Sequence, residues 1–426
     1  MKKKVVVIGG GTFSHVRAHL ALATPAFGST AKQLYEKCKK QFTNMDVELI
    51  LTKMADSNSK IVTNQDVSDL VDTLIQDNTT KAIFFNVALC DYDGTIDNVP
   101  SGKLAPRLET ANGDKLMVLT PAEKIVRKIR SKRKDIFFVA FKTTTNATAQ
   151  EQFSKGLNLM KKSSANLVLA NDIATRNNFI ITPEEGVYGK TMTREECLDE
   201  LVSIAYYRTH LTFTKSTVVS GVPVPWSDDR IPATLRRVIN WCVDHNAYKE
   251  FNGATTGHFA VKLGDNKFLT SIRKTNFNDI GKNGMVLVET NGDDSVIAYG
   301  AKPSVGGQSQ RIIFGRHSDC DSIVHFHCPL KADHKDNIPV VSQREYECGS
   351  HQCGENTANG LGKFGNLYCV MLDNHGPNIV FNKNTDSAEV IDFILDNFDL
   401  DKSTSGFEKV YLNLKETENE KNDKFS

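Results

Sequence analysis

The sequence predicts an α/β chain of two domains: a parallel sheet with helices on both faces, then an α+β domain built on a central, mainly antiparallel sheet. Three observations carry this. In the first half, short apolar runs alternate with helical stretches, the pattern of βαβ units. From about residue 232, short strands crowd together between turn signals such as Asn291-Gly292-Asp293, the pattern of an antiparallel sheet. The length, 426 residues, is enough for two or three domains of roughly 150 residues each.

Val5–Ile8, Val47–Leu51, Ala82–Phe85, Ile136–Phe141 and Leu167–Ala170 read as strands. Val5-Val6-Val7-Ile8 is continuously apolar, as a parallel strand buried on both faces must be. Helical stretches lie between them, notably Val67–Ile75 and Ala149–Lys162. The strand Phe179–Thr182 and the helix Arg194–Tyr207 close this domain, which spans 1–210. Leu211–Ile231 carries Gly221, Pro223, Pro225 and Trp226 without a sustained period, so 211–233 reads as a linker. A helix over Leu235–Asn246 opens the second domain, 234–414. The strands Phe259–Leu263, Phe268–Ile272, Met285–Glu289 and Val296–Gly300 follow. Residues 415–426 are charged, nearly free of apolar side chains and expected to be disordered.

The formal net charge of +1 gives no electrostatic footprint for nucleic acid or an anionic membrane. No run approaches the ~20 apolar residues of a membrane span. Nine cysteines, an odd number over a long chain, argue against a disulfide framework and for a reducing cytoplasm. The expected partners are small molecules.

Gly9-Gly10-Gly11-Thr12 follows the first strand, and glycines at a strand-to-helix turn let backbone N–H groups approach a phosphate. Ser14 stands where the dinucleotide fingerprint needs its third glycine, and no acidic residue ends the second strand, which demotes a nicotinamide-dependent oxidoreductase. A nucleotide site and a plain tight turn both remain open on these residues alone.

Five segments in order, Gly9-Gly10-Gly11-Thr12, Ala82 to Tyr92, Gly102-Lys103-Leu104, Phe138 to Asn146 and Ala165 to Ile173, resemble the phosphopantothenate–cysteine ligase family over about residues 4–208. The resemblance implies a Rossmann-like fold and activation of a carboxylate with CTP or ATP (with Mg2+), followed by attack of cysteine. It implies that Gly9, Gly10, Gly11, Asp91, Phe141, Asn171 and Asp172 bind the nucleotide. Lys103 would be the mobile lysine that closes over the triphosphate, where it can stabilise charge on departing pyrophosphate. Lys142 is similar to the branch that uses ATP. The family's Asn-x-Ser-Ser-Gly segment is Thr24-Pro25-Ala26-Phe27-Gly28 here, and Arg107 alone replaces a basic cluster. A solvated Lys103 and an Asp91 that caps a turn are the plain alternatives.

In the second half, Ile323-Val324-His325-Phe326-His327 places two imidazoles on one side of a strand, within reach of one ion. Further on, the apolar strand Leu367–Leu372 runs into Asp373-Asn374-His375-Gly376. Three neutral imidazoles leave a fourth position of tetrahedral Zn2+ open, the arrangement of a catalytic site. By itself a His-x-His pair is as compatible with packing.

Gly257 to Asp265, Lys302-Pro303-Ser304, His325 to Pro329 and Asn374-His375-Gly376 resemble the class II aldolase/adducin family over about residues 234–397. The resemblance places His325, His327 and His375 on zinc-ligand positions and implies a homo-oligomer, dimer or tetramer, with zinc near subunit interfaces. Val305-Gly306-Gly307-Gln308 holds no counterpart of the aldolase glutamate. Glu345 lies where the dehydratase branch has its acid/base, with Glu347 as the fallback, and both are equally readable as loop charges. His258 replaces an asparagine of the phosphate site; Ser271, Arg273, Lys274 and Ser304 remain as candidates for holding a phosphate or carboxylate. Cys348 and Cys353, with Cys320 and Cys328 in the same half, lack the paired spacing of a structural zinc site.

Together these imply a fused enzyme: a nucleotide-dependent acid–amine ligase-like domain joined to a zinc lyase of aldolase or dehydratase type. Thr24 and the missing aldolase glutamate also allow an adducin-like scaffold that retains both folds, or a single-activity protein.

Overall fold

The computed structural model describes residues 2–305, 307–334 and 337–408, without the side chains of 307, 308 and 334. The tail expected at 415–426 lies outside the described residues. The chain forms two compact units. One comprises residues up to Asn146, Gly156–Pro183 and Val187–His210; the other takes in Ala147–Lys155, Glu184–Gly186 and the chain from Leu211 onward.

The first unit is built on seven strands: β1 Lys4–Gly11, β2 Asp46–Leu51, β3 Thr80–Ala88, β4 Phe137–Thr144, β5 Leu167–Asp172, β6 Asn178–Ile181 and β7 Val187–Tyr188. Their order across the sheet is β7-β6-β5-β4-β3-β1-β2. The strands β1 to β5 pair in parallel, while β6 and β7 run antiparallel. Val5–Ile8 sits between Val47–Ile50 and Ala82–Phe85 and is fully buried, which is why the run admits no polar residue. Helices α1 Ser29–Gln41, α2 Asn64–Gln76, α3 Val126–Lys132, α4 Ala149–Ser163 and α5 Arg194–Thr209 connect or cover the strands. The chain reverses its winding between β1 and β3, and the crevice beyond the carboxyl ends of such strands is where open α/β sheets bind ligands.

The glycine-rich segment departs from its expected place. Gly9, Gly10 and Gly11 complete β1 instead of opening a helix, and the chain continues into the ribbon Phe13–Arg17/Leu20–Ala23. The glycines are required by packing: a Cβ on Gly9 would lie 2.2 Å from the Ala31 Cβ of α1, and one on Gly11 2.1 Å from the Thr24 carbonyl oxygen. A second ribbon, Tyr92–Ile96/Met117–Pro121, was also not legible: Met117–Pro121 is almost wholly exposed, and only Gly94 and Ile96 of its partner strand are buried.

The second unit holds ten strands in one sheet: β8 Lys215–Val219, β9 His258–Gly264, β10 Lys267–Ser271, β11 Met285–Thr290, β12 Ser295–Tyr299, β13 Ser322–His325, β14 Val340–Val341, β15 Gly362–Phe364, β16 Leu367–Leu372 and β17 Gly376–Phe381. Their order is β8-β12-β11-β10-β9-β13-β17-β16-β14, with β15 also paired to β16. All pairings are antiparallel except β8 with β12 and β14 with β16. One face packs Phe259, Val324 and Ile379 against helices α6 Ala233–Asp244 and α9 Ser387–Asn397. The other packs Ala260, Ile323 and Val380 against α7 Gly307–Arg316 and α8 His351–Gly360.

The segment 211–233, read above as a linker, is part of this unit. β8 pairs along β12, Val224 and Met285 exchange backbone hydrogen bonds of 2.7 and 2.8 Å, and Trp226 and Ile231 join the core. All five residues of β8 are exposed, so an edge strand here leaves no alternation in the sequence.

Candidate metal centre and nucleotide edge

Three strands build the histidine cluster. His325 ends β13, His327 lies two residues beyond, and His375 sits in the tight turn between β16 and β17, where Leu372 pairs with Gly376. Gly376 has φ 148°, and a Cβ there would stand 2.0 Å from the Phe326 carbonyl oxygen. Its absence lets the turn lie on the Phe326 backbone and brings His375 against the other two rings. The Nε2 atoms of His325 and His375 are 3.1 Å apart, and the ring centroids of the three pairs lie 4.5 to 5.1 Å apart. Relative exposures are 1% for His325, 7% for His327 and 3% for His375.

The His325 Nδ1–H donates to the Pro377 carbonyl at 2.7 Å, which fixes the ring and leaves its Nε2 lone pair toward the cluster. Burial pushes the His325 pKa down to about 4, against the smaller opposing effect of that bond, so the ring is neutral at pH 7. One donor nitrogen from each histidine lies within 4.8 Å of the others, and among the described residues this is the one group of three or more His, Cys, Asp or Glu side chains so placed. Three imidazole nitrogen donors, one aimed by its own hydrogen bond, fit a Zn2+ ion with a fourth position open. The cysteines form no such group: Cys328 donates to the Ala247 carbonyl, and the Cys353 thiol receives Gln343 Nε2 at 3.5 Å.

The anion-binding candidates converge. The bridge between Ile272 and Pro303 sets the two loops side by side, with the Ser304 N–H on the Ser271 carbonyl at 3.0 Å and the Arg273 N–H on that of Lys302 at 2.9 Å. The hydroxyls of Ser271 and Ser304 are buried with no hydrogen-bond partner among the described residues, and Arg273 and Lys274 are exposed. β14 runs parallel to the end of β16, and the Asp373 N–H reaches the Val341 carbonyl, so residues 342–347 emerge beside the strand that delivers His375. Glu345 is half-exposed with Arg344 3.7 Å away, whereas Glu347 is buried. One residue had been read only as a lost asparagine: His258 lies directly opposite His325 across β9 and β13. Cross-strand register of this kind has no trace in a single sequence.

In the first unit most of the predicted nucleotide residues lie along one edge. Gly9–Gly11, Asn171 and Asp172 occupy the carboxyl ends of β1 and β5, Phe141 lies in the middle of β4, and Asp91 follows the end of β3. Asn171 accepts from the Thr143 hydroxyl. The Asp172 carboxylate is occupied by its own turn: it accepts from the Thr144 hydroxyl and from the N–H groups of Asn146, Ala174 and Thr175. Asp91, 74% exposed, pairs with Lys124 at 2.7 Å. Lys103 is exposed in the loop of the second ribbon, beside Leu104 at 95% exposure. Sequence reasoning missed Asn64, whose amide binds the Thr12 hydroxyl, the Cys90 N–H and the Cys90 carbonyl, pinning β1 and β3 together where the crevice opens. Thr24 donates to the Leu89 carbonyl in the same crevice.

No protein-family profile matches the chain, and comparison with curated proteins finds no match. Comparison with solved structures finds both resemblances, one for each half. The first is similar to the DNA/pantothenate metabolism flavoprotein from Streptococcus pneumoniae, at 18% identity and TM-score 0.40 over 48% of this chain and 97% of that one. It is also similar to the C-terminal domain of the coenzyme A biosynthesis bifunctional protein CoaBC, at 14% identity and TM-score 0.37 over 48% and 94%. The second resemblance is to L-fuculose 1-phosphate aldolase, at 17% identity and TM-score 0.31 over 40% and 84%.

Proposed function

We propose that this chain is a two-domain metabolic enzyme. Its second domain is a zinc-dependent lyase of aldolase or dehydratase type, acting on a small phosphorylated hydroxy-carbonyl substrate. Its first binds CTP or ATP with Mg2+ to activate a carboxylate. The observation that carries the reading is the buried His325/His327/His375 cluster, whose donor atoms all lie within 4.8 Å of one another. A cluster of imidazoles that only filled space would be costly to bury and would need no aimed lone pair.

His325, His327 and His375 would hold the ion, which supplies Lewis-acid polarisation of a substrate carbonyl when bound. The Ser271 and Ser304 hydroxyls, without partners among the described residues, donate to phosphate or carboxylate oxygens, and Arg273 and Lys274 balance the charge. Of the two candidate acids, Glu347 is the buried one and is the better general base for a carbon-bound proton; Glu345 serves as a surface charge. In the first domain, Lys103 on its exposed loop neutralises the triphosphate and Asn171 supplies a polar contact. Asp172 shapes the turn between β5 and β6.

The test is metal content after zinc supplementation. The wild type retains about one equivalent and His325→Ala below about 0.2; equal, low occupancy in both defeats the lyase reading. Titration with CTP and ATP, comparing Lys103→Ala, tests the other half. A second reading, a single-activity protein whose first domain does not turn over, is favoured by the saturated Asp172 carboxylate and the exposed Asp91–Lys124 pair. Nucleotide binding without pyrophosphate release selects it.

A further inference from the structure

A fourth imidazole belongs to the histidine cluster without being among its ion-holding donors. His258 begins β9 directly opposite His325, and His325 is in turn opposite Asn378 of β17. Directly paired residues of antiparallel strands point to the same side of the sheet, so His258 and Asn378 flank His325 on one face. The His258 and His325 rings lie 4.6 Å apart between centroids with planes tilted by 30°, closer to parallel than the edge-on contacts of His325 with His327 and His375. The far side of His258 is held as well. Gln310, from α7, donates from Nε2 to His258 Nδ1 at 2.8 Å, and both side chains are buried. The chain of contacts runs from α7 through Gln310 and His258 to the ring of His325. At its other edge His325 donates to the Pro377 carbonyl.

We propose that His258, locked by Gln310, is a positioning residue for the metal centre: its ring is the platform against which His325 lies, so that the Nε2 of His325 stays aimed at the position shared with His327 and His375. The proposal rests on the reading of that cluster as a metal site. The hydrogen bond to Pro377 leaves one motion open to the His325 ring, a rocking about the line through Nδ1 and the ring, and a flat neighbour at stacking distance restrains it. Outer supports of a ligating histidine are worth roughly 10–100-fold in metal affinity. His258 itself supplies no ligand atom: its Nδ1 is engaged by Gln310, and it is not among the grouped donors.

The experiment measures the zinc dissociation constant of the full chain by competition with a chromophoric chelator, in wild type, His258→Ala, His258→Phe and Gln310→Ala, with the melting temperature of each metal-free protein recorded alongside. His258→Ala weakens zinc 10–100-fold, and His258→Phe, which restores a flat ring, returns affinity to within about threefold of wild type. Gln310→Ala gives an intermediate loss. A platform role predicts that affinity follows the presence of the ring and not the apo melting temperature. Two outcomes overturn it: wild-type zinc affinity in His258→Ala, or a loss in His258→Phe as large as in His258→Ala. Absence of zinc binding in the wild type defeats the metal reading itself, and this inference with it. Should His258→Ala not fold, His258→Phe and Gln310→Ala still decide the matter, since a platform requires the first to bind normally and the second to bind more weakly.

Discussion

Asp172 organises the turn between β5 and β6. Its carboxylate takes three backbone N–H groups and one hydroxyl at the β5–β6 turn. Asp172→Ala is therefore expected to lower stability by about 1–3 kcal/mol in chemical denaturation, because the four donors of the turn lose their shared, buried acceptor. Asn171→Ala should leave stability within about 0.5 kcal/mol and act on nucleotide affinity, measured by titration calorimetry. The histidine cluster was legible because an alternating His-x-His and a strand-ending His-Gly are local patterns. His258, Gln310 and Asn64 were not, because their partners are 67, 52 and 26 positions away, taking the offsets of His258 to His325, Gln310 to His258 and Asn64 to Cys90.

At the scale of elements, the parallel strands and the long helices were legible wherever burial imposes a period. The capping box of α2 is one such local signal: Thr63 accepts from the Asp66 N–H, and the Asp66 carboxylate returns to the Thr63 N–H. Thr63→Ala should cost about 1 kcal/mol, read as a shift of the denaturation midpoint. The two ribbons and β8 escaped because their residues face solvent on one or both sides. The Gly9–Gly11 segment was misplaced for another reason: glycine marks close approach as readily as a turn. Gly11→Ala should destabilise the first unit by several kcal/mol, since the Thr24 backbone blocks the new methyl, whereas Gly102→Ala, with nothing within 4 Å of its Cβ, should be neutral. Thermal melts of the two variants separate these cases.

For the whole molecule, the two units have separate cores and separate candidate ligands, so their responses should be separable. Hydrogen exchange with zinc present should slow amides around 322–327 and 371–379, and CTP or ATP should slow those at the carboxyl ends of β1, β4 and β5. A zinc-selective chelator, with Mg2+ kept in excess, should reverse only the first effect. The exposed strand β8 has a practical consequence for dissecting the chain. A fragment beginning at residue 234, where composition places the start of the second domain, would lack Lys215–Val219, Val224, Trp226 and Ile231. It would present the open backbone of Ser295–Tyr299 as a sticky edge and leave part of the core uncovered. Cutting before Leu211 keeps that hem sewn; cutting at 234 should yield an aggregating fragment whose failure says nothing about the histidines.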